Sequence, residues 1–236
     1  MTLRIVAGSA SPLLAGAVAE ELGTEGVGGE VERFPDGELR PLIDDVRGDD
    51  VYIVESTGPP VNDHLVELAL LLDACRRGGA DRITAVVPYF GYARQDRRSR
   101  AGQAVGARVA ADIIVTAGAD RLLVVDPHTP ALEAMLDIPV DMITAVRLLA
   151  RSVGSLEPTA GVVVAPDLGA VKLAQHYALL LGLPVAVVRK TASAPCWWAV
   201  RRNVMMRPWV SAPGSDRFPP QTFRLTTATG SPSRRA

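Results

Sequence analysis

An arginine-rich stretch follows a short apolar run in the first half of the chain. Residues 83–87 are apolar and partly β-branched, which predicts a buried strand, and Pro88 ends it. Two tyrosines and a phenylalanine come next, followed by a polar cluster made of Arg94, Gln95, Asp96, Arg97, Arg98 and Arg100. Aromatic faces suit a flat base, and guanidinium groups bind phosphate oxygens in pairs. The stretch therefore indicates a nucleotide polyphosphate site, with a solvated polar loop as the alternative.

Other clusters of reactive side chains also follow predicted strands. They are Asp36 with Glu38, Asp126 with His128, and Asp167. Parallel strands bring their carboxyl ends to one edge of a sheet, so we expect the Asp126 cluster and Asp167 to share a cleft with Arg94. Arginines, carboxylates and a histidine suit phosphate transfer, and a carboxylate can hold Mg²⁺.

Each cluster also has a purely structural explanation. Asp36-Gly37 is a common turn, His128 stands in a loop between prolines, and Asp167 can cap the following helix. The sequence contains no Gly-x-x-x-x-Gly-Lys-Ser/Thr loop, which argues against ordinary P-loop chemistry.

The elements that must position these clusters alternate between strand and helix. Apolar runs predict strands at residues 3–7, 29–33, 51–55, 83–87, 121–125, 161–165 and 185–188. Helical spacing predicts helices at residues 12–22, 62–78, 103–117, 144–151 and 170–181, the first two capped by Ser11 and Asn62. This alternation predicts an α/β fold with parallel sheets, in two halves that meet near residues 140–145.

Length and composition are those of an ordinary globular protein. The 236 residues leave room for one large or two small domains, and a hydrophobic content of 48% supports a core. The two cysteines, Cys75 and Cys196, lack the spacing of a metal site. The start does not resemble a signal peptide and no apolar run reaches about 18 residues, so we expect a cytoplasmic protein with no membrane partner.

The chain changes character after residue 190. Residues 191–236 carry seven arginines, one aspartate and all three tryptophans, whereas residues 1–190 carry 18 basic and 25 acidic side chains. The tail is rich in Pro, Arg, Ser and Thr and is expected to be irregular. Its composition favours a shifted reading frame over an evolved domain. The less favoured alternative is a basic extension that binds nucleic acid or membrane.

The order of the motifs resembles ribose-phosphate pyrophosphokinase, also called phosphoribosyl pyrophosphate synthetase. The resemblance covers about residues 1–191 and rests on the stretches at residues 34–38, 59–64, 88–97, 126–129, 166–170 and 188–190. Its most specific part is Gly-Tyr-Ala-Arg-Gln-Asp-Arg at residues 91–97.

The resemblance implies two phosphoribosyltransferase-like α/β domains with parallel sheets, the second incomplete, assembled as homo-oligomers such as dimers or hexamers. Residues 1–142 would form the N-terminal domain with ATP-binding motifs, residues 143–190 a partial C-terminal domain, and residues 191–236 a divergent basic tail. The implied enzyme is a ribose-phosphate diphosphokinase, which transfers pyrophosphate from ATP to the C1 hydroxyl of ribose 5-phosphate. Its products are phosphoribosyl pyrophosphate and AMP, Mg²⁺ is its cofactor, and inorganic phosphate is an activator.

Site residues follow from the same resemblance. Those implied to bind ATP are Phe34, Asp36, Glu38, Arg94, Gln95, Arg97 and His128. The first three would contact the adenine from a neighbouring subunit. His128 would contact the metal–phosphate end of ATP, and Asp167 would contact a second Mg²⁺ or the ribose hydroxyls. Lys190 matches a mobile-loop lysine whose catalytic role is to stabilise the transferring group.

The sequence departs from the family beyond residue 190. Ala192 stands where the family has an arginine, and no acidic pair with a Thr-Gly-Gly-Thr type loop follows, Thr229-Gly230 being a poor match. The chain is therefore expected to be truncated or frame-shifted after about residue 191, which leaves the strand at 185–188 short of partners. One alternative function is a regulatory or catalytically incompetent homologue that binds nucleotide and associates with a full-length synthetase. An ordinary phosphoribosyltransferase is less favoured, because it also needs the missing loop.

Overall fold

The computed structural model describes residues 2–24, 26–27, 29–154, 161–190 and 223–226. The chain divides into two compact units, Met1–Thr144 and Ala145–Ala236. Most of the basic tail, including Ala192 and Thr229-Gly230, lies outside the described residues.

The first unit is built around a parallel sheet. Its strands are β1 (Leu3–Ala7), β2 (Gly26–Val27), β3 (Gly29–Arg33), β4 (Leu39–Ile43), β5 (Asp50–Val54), β6 (Arg82–Val87), β7 (Arg121–Val125) and β8 (Val140–Ile143). Six of them form one sheet in the order β2-β1-β5-β6-β7-β8, with every neighbouring pair parallel. The parallel α/β architecture expected from the alternating elements is therefore confirmed. Strands β3 and β4 form a separate antiparallel hairpin.

Helices cover both faces of this sheet. They are α1 (Pro12–Leu22), α2 (Val61–Gly78), α3 (Gly106–Ala117) and a short 3₁₀ helix (Pro130–Met135). The main core packs Leu68 of α2 and Ile114 of α3 against strand residues such as Ile53. On the opposite face, Ala15 of α1 packs with Val54. Because both faces are covered, the strands are almost continuously apolar.

The second unit contains α4 (Val146–Gly154), β9 (Val163–Ala165), α5 (Val171–Leu181), β10 (Val185–Lys190) and β11 (Phe223–Thr226). Strand β10 pairs in parallel with β9 and antiparallel with β11. The prediction of an irregular tail is therefore wrong for residues 223–226, and the last predicted strand does have partners on both sides. Within the described residues of both units, no helix combines the length and apolarity needed to cross a bilayer.

Neither predicted helix cap forms a side-chain capping hydrogen bond, although the predicted position of Ser11 as the N-cap residue of α1 is confirmed. Ser11 does precede α1, but its hydroxyl accepts a hydrogen bond from the backbone N–H of Ser56 at 3.0 Å instead of capping the helix. Helix α2 begins at Val61, so Asn62 lies inside it, and its side-chain oxygen accepts a hydrogen bond from the Tyr92 hydroxyl. Each side chain is used for a tertiary contact with a loop at the carboxyl edge of the sheet.

The apolar pattern of the sequence does not predict strands β4 and β8. Pro41 lies inside β4, and β8 begins directly after Pro139, so in each case a proline interrupts the apolar pattern. The structure accommodates both prolines because, among the residues it describes, β4 pairs only with β3, and β8 lies at one end of the large sheet.

Candidate functional site

A cavity of about 450 Å³ lies at the carboxyl ends of β6 and β7 in the first unit. Its lining comes from the loop after β6, the loop after β7 and the start of α2: Val61, Tyr89, Phe90, Tyr92, Ala93, Arg94, Gln95, Val125, Asp126, Pro127 and His128. The structure thus brings together the arginine-rich stretch and the Asp126–His128 cluster, as the parallel sheet predicts.

The cavity lining combines buried apolar side chains with exposed polar ones. Phe90 is only 5% exposed, whereas Arg94, Gln95 and His128 are exposed. Within the described part of the chain, neither Arg94 nor His128 forms an ion pair or a side-chain hydrogen bond. An unpaired guanidinium beside an imidazole and an aromatic surface can bind an anionic ligand that carries phosphate groups.

Two cavity residues have an unusual backbone conformation. Tyr92 has φ of +63° and Asp126 has φ of +42°, and among the described residues these are the non-glycine positions with positive φ. Such a conformation persists only where the surroundings hold it, and it is concentrated at functional sites. At Tyr92, the carbonyl accepts a hydrogen bond from the Gln95 backbone N–H at 2.8 Å, and the hydroxyl bonds Asn62.

Gly106, the first residue of α3, permits a close approach to the cavity loop. A Cβ atom there would lie 2.7 Å from the side-chain oxygen of Gln95 and 3.1 Å from the Tyr92 ring. The neighbouring Ala107 donates its backbone N–H to the Gln95 carbonyl at 3.2 Å. The start of α3 therefore fixes where Gln95 lies in the cavity.

We expect Gly106→Ala to weaken ATP binding by about fivefold, because the added methyl group forces Gln95 and Tyr92 to move and a lost hydrogen bond costs about 1 kcal/mol. Isothermal titration calorimetry with ATP and Mg²⁺ measures the effect. Gly16→Ala in α1 is the matched control, because nothing lies within 4 Å of a Cβ at that position. It should leave affinity unchanged and stabilise the helix by about 1 kcal/mol. Equal affinities of the two variants would exclude the role given to Gly106.

The hairpin residues Phe34, Asp36 and Glu38 lie outside this cavity. They form the β3–β4 turn, in which Phe34 donates its N–H to the Glu38 carbonyl at 2.8 Å and Glu38 donates to the Asp36 carboxylate at 3.2 Å. The Arg40 guanidinium lies over the Phe34 ring at 4.9 Å from its centroid. Glu38 lines a separate groove between the hairpin and α2. Their adenine contact in a neighbouring subunit stays a prediction.

Arg97 also lies outside the cavity lining. Its side chain is 89% exposed and its nearest acidic partner is Asp96 at 4.0 Å. The structure therefore does not bring Arg97 together with Arg94 and His128 in this cavity.

Asp167 and Lys190 belong to the second unit. One carboxylate oxygen of Asp167 accepts a hydrogen bond from the Ala170 backbone N–H at 3.0 Å. Ala170 is the N-cap residue of α5 and the helix has no side-chain cap, so Asp167 orders the turn before α5 but does not cap the helix. Lys190 is the last residue of β10. The functional roles of both residues stay predictions.

The sequence pattern does not indicate a buried acidic pair, Glu55 and Glu67, that lies at the carboxyl ends of β1 and β5. Glu55 and Glu67 are 0% and 1% exposed. Ser9 donates its backbone N–H and its hydroxyl to Glu67, each at 2.6 Å, and Ala10 donates its N–H to Glu55 at 3.1 Å. Burial, and then the charge of Glu67, raise the pKa of Glu55 to about 8.

This acidic pair occupies the topological switch point of the sheet. The chain runs from β1 to β2 in one direction and from β5 to β6 in the other, and open α/β sheets often bind ligands at such a point. Here a Cβ at Gly8 would lie 2.1 Å from a Glu55 carboxylate oxygen, so the protein's own side chains fill the crevice. The cavity between β6 and β7 is therefore the better ligand site.

Comparisons with known proteins agree with the motifs. Residues 3–118 match the family model of the N-terminal domain of ribose phosphate pyrophosphokinase. The chain is 41% identical over 198 residues to the ribose-phosphate pyrophosphokinase of Clostridium tetani, a match that covers 82% of this chain and 62% of the relative. It is 42% identical over 186 residues to that of Staphylococcus saprophyticus, covering 77% and 58%.

A solved structure is also similar. The phosphoribosylpyrophosphate synthetase from Mycobacterium smegmatis aligns with a TM-score of 0.75 and 39% identity, over 82% of this chain and 66% of that one. The chain thus spans about three fifths of the length of the curated relatives it matches. These matches, together with the motifs in the loops after its strands, show that the chain belongs to the ribose-phosphate pyrophosphokinase family.

Proposed function

We propose that the chain is a ribose-phosphate diphosphokinase that transfers pyrophosphate from ATP to the C1 hydroxyl of ribose 5-phosphate. The observation that carries the proposal is the cavity after β6 and β7, which Arg94, Gln95, His128 and Phe90 line together in a member of this family. The similar proteins are named as the enzyme, so they do not favour the regulatory alternative.

In this proposal the cavity residues act by binding and charge neutralisation. Arg94 and Gln95 hold ATP, and His128 contacts the phosphate end of the nucleotide. Phosphoryl transfer needs little covalent chemistry from the protein, so positioning and electrostatic stabilisation account for most of the catalysis. We propose that Lys190 has the catalytic role of stabilising the transferring group and that Arg97 binds ATP. Phe34, Asp36 and Glu38 are proposed as adenine contacts across a subunit boundary.

The donor groups fit Mg²⁺ as a cofactor. Among the described residues no group of three or more His, Cys, Asp or Glu side chains forms a metal cage. Mg²⁺ does not require one, because it usually keeps several waters and binds to one or two carboxylates plus substrate phosphates. We propose that His128 contacts Mg²⁺ at the metal–phosphate end of the nucleotide, and that Asp167 separately contacts a second Mg²⁺ or the ribose hydroxyls. Asp167 suits this role because one hydrogen bond leaves acceptor capacity on its carboxylate. The ion would supply charge neutralisation at the phosphates.

The setting of the enzyme belongs to the same proposal. We propose a cytoplasmic homo-oligomer, either a dimer or a hexamer, activated by inorganic phosphate. A neighbouring copy would bring its hairpin residues to the nucleotide. Neither a membrane nor a nucleic acid is a proposed partner.

The test is AMP formation from ATP and Mg²⁺ by the purified chain, measured by chromatography with and without ribose 5-phosphate. The proposal predicts AMP that appears only when ribose 5-phosphate is present, together with an equal amount of phosphoribosyl pyrophosphate. ADP as the product, or no AMP from a folded chain that binds ATP, would contradict it.

A further inference from the structure

We propose that Thr57 is a positioning residue for the nucleotide cavity. Its hydroxyl fixes the loop at residues 89–91, and this loop leads into Tyr92 and Arg94 at the cavity wall. The inference rests on the proposed function, because it assigns to Thr57 an effect on nucleotide affinity. The sequence pattern around Thr57 indicates no role for it, and Thr57 lies three residues beyond the end of β5.

The Thr57 hydroxyl serves as donor and acceptor at the same time. It donates to the Tyr89 carbonyl at 3.0 Å and accepts the Gly91 backbone N–H at 2.6 Å. The Thr57 backbone N–H donates to the same Tyr89 carbonyl at 2.9 Å. Thr57 is 2% exposed, so water is excluded from these bonds. One buried side chain thus binds both the Tyr89 carbonyl and the Gly91 N–H, two residues further along the loop.

Close packing restricts the loop further. A Cβ at Gly91 would lie 2.7 Å from the Thr57 carbonyl oxygen and 2.8 Å from a methyl group of Val61. Val61 is itself part of the cavity lining. The loop is therefore packed closely against the end of β5 and the start of α2, with no room for a side chain at residue 91.

The consequences of removing the hydroxyl follow from this geometry. Thr57→Val keeps the shape of the side chain but leaves the Gly91 N–H buried without an acceptor, which is a costly state. The loop can satisfy that N–H only by moving, and Arg94 lies three residues further along. Thr57→Ser keeps the hydroxyl and should keep the loop in place.

Thr84 on β6 provides a matched control for the substitution. It is 1% exposed, and its hydroxyl has no hydrogen-bond partner within the described part of the chain. Thr84→Val makes the same chemical change at similar burial without breaking a bond. Any general effect of replacing a buried threonine therefore appears in both variants, and a positioning effect appears only at Thr57.

The experiment measures ATP affinity by calorimetry in Mg²⁺ and hydrogen exchange of the residue 89–95 amides without ligand, on the full chain. We expect Thr57→Val to weaken ATP binding about tenfold, a value typical of one lost buried hydrogen bond, and to speed exchange only in this loop. Thr57→Ser and Thr84→Val should stay within about threefold of the unmodified chain in affinity.

Unchanged affinity in Thr57→Val would overturn the proposal, as would a faster exchange spread over the whole sheet. Failure of Thr57→Val to fold while Thr84→Val folds would also overturn it, because the hydroxyl would then determine global stability. If the unmodified chain binds no ATP, the proposed function fails by itself. The loop exchange then decides the positioning claim, and a protected loop in Thr57→Val would refute it.

Discussion

Replacing Arg94 with alanine is expected to weaken binding of ATP with Mg²⁺ by about 10- to 100-fold, because a hydrogen bond to a charged group contributes about 1.5–3 kcal/mol. Arg94 lines the cavity and has no competing ion pair among the described residues. Its side chain is exposed, so truncation leaves no buried group unsatisfied and the fold should persist. Calorimetric titration with ATP measures the loss, and circular dichroism checks the fold.

Arg77→Ala is the matched control for this prediction. Arg77 is an exposed arginine in the last turn of α2, where it pairs with Asp73, and it does not line the cavity. It should change ATP affinity by less than about threefold. An affinity loss of similar size in both variants, or none in Arg94→Ala, would contradict the role assigned to Arg94.

Replacing Glu55 with glutamine is expected to raise the free energy of unfolding at pH 8 by about 1–3 kcal/mol. This is the cost of an unsatisfied buried polar group, which the substitution removes. One Glu55 oxygen has no hydrogen-bond partner among the described residues, and Glu67 lies close enough to repel its charge. Glutamine keeps an oxygen that can accept the Ala10 N–H. It also removes the charge and offers an N–H₂ donor to Glu67.

The sign of the pH dependence follows from the raised pKa. The Glu55 pKa is about 8 in the folded chain against an ordinary value of 4.5, so between these pH values the folded state holds a proton that the unfolded state has lost. The contribution of Glu55 to stability is therefore present below about pH 4.5 and falls as the pH rises toward 8. The advantage of Glu55→Gln should grow over the same range.

Urea unfolding at pH 5, 6.5 and 8 would measure this effect, with those values chosen to span the titration range set by the two pKa values. Glu20→Gln on the exposed face of α1 is the control and should stay within about 0.5 kcal/mol of the unmodified chain. A Glu55→Gln advantage that stays constant with pH, or a loss of stability, would refute the assigned burial cost.

The two clusters that line the cavity could be predicted because each lies in a loop that follows an apolar run. The run at residues 83–87 and the cluster at Arg94 predicted a candidate site at a strand end, where the structure has a cavity that Arg94 and His128 both line. Local pattern carries this information, since strands buried on both faces are continuously apolar.

Other parts of the site depend on neighbours that are distant in sequence. Thr57 and Gly106 have no local signature, because one acts through the carbonyl and N–H of a loop more than 30 residues away and the other through a close approach. For the same reason, the capping hydrogen bonds predicted for Ser11 and Asn62 do not form, and both side chains bond to other partners. Polar side chains near helix starts have several possible partners, and tertiary packing selects among them.

The most direct test of the central claim is a crystal structure of the chain with a non-hydrolysable ATP analogue and Mg²⁺. We predict that the triphosphate lies in the cavity after β6 and β7, against Arg94 and near His128. A triphosphate bound instead at the crevice of Glu55 and Glu67, or in the groove beside Glu38, with the predicted cavity empty, would contradict the account.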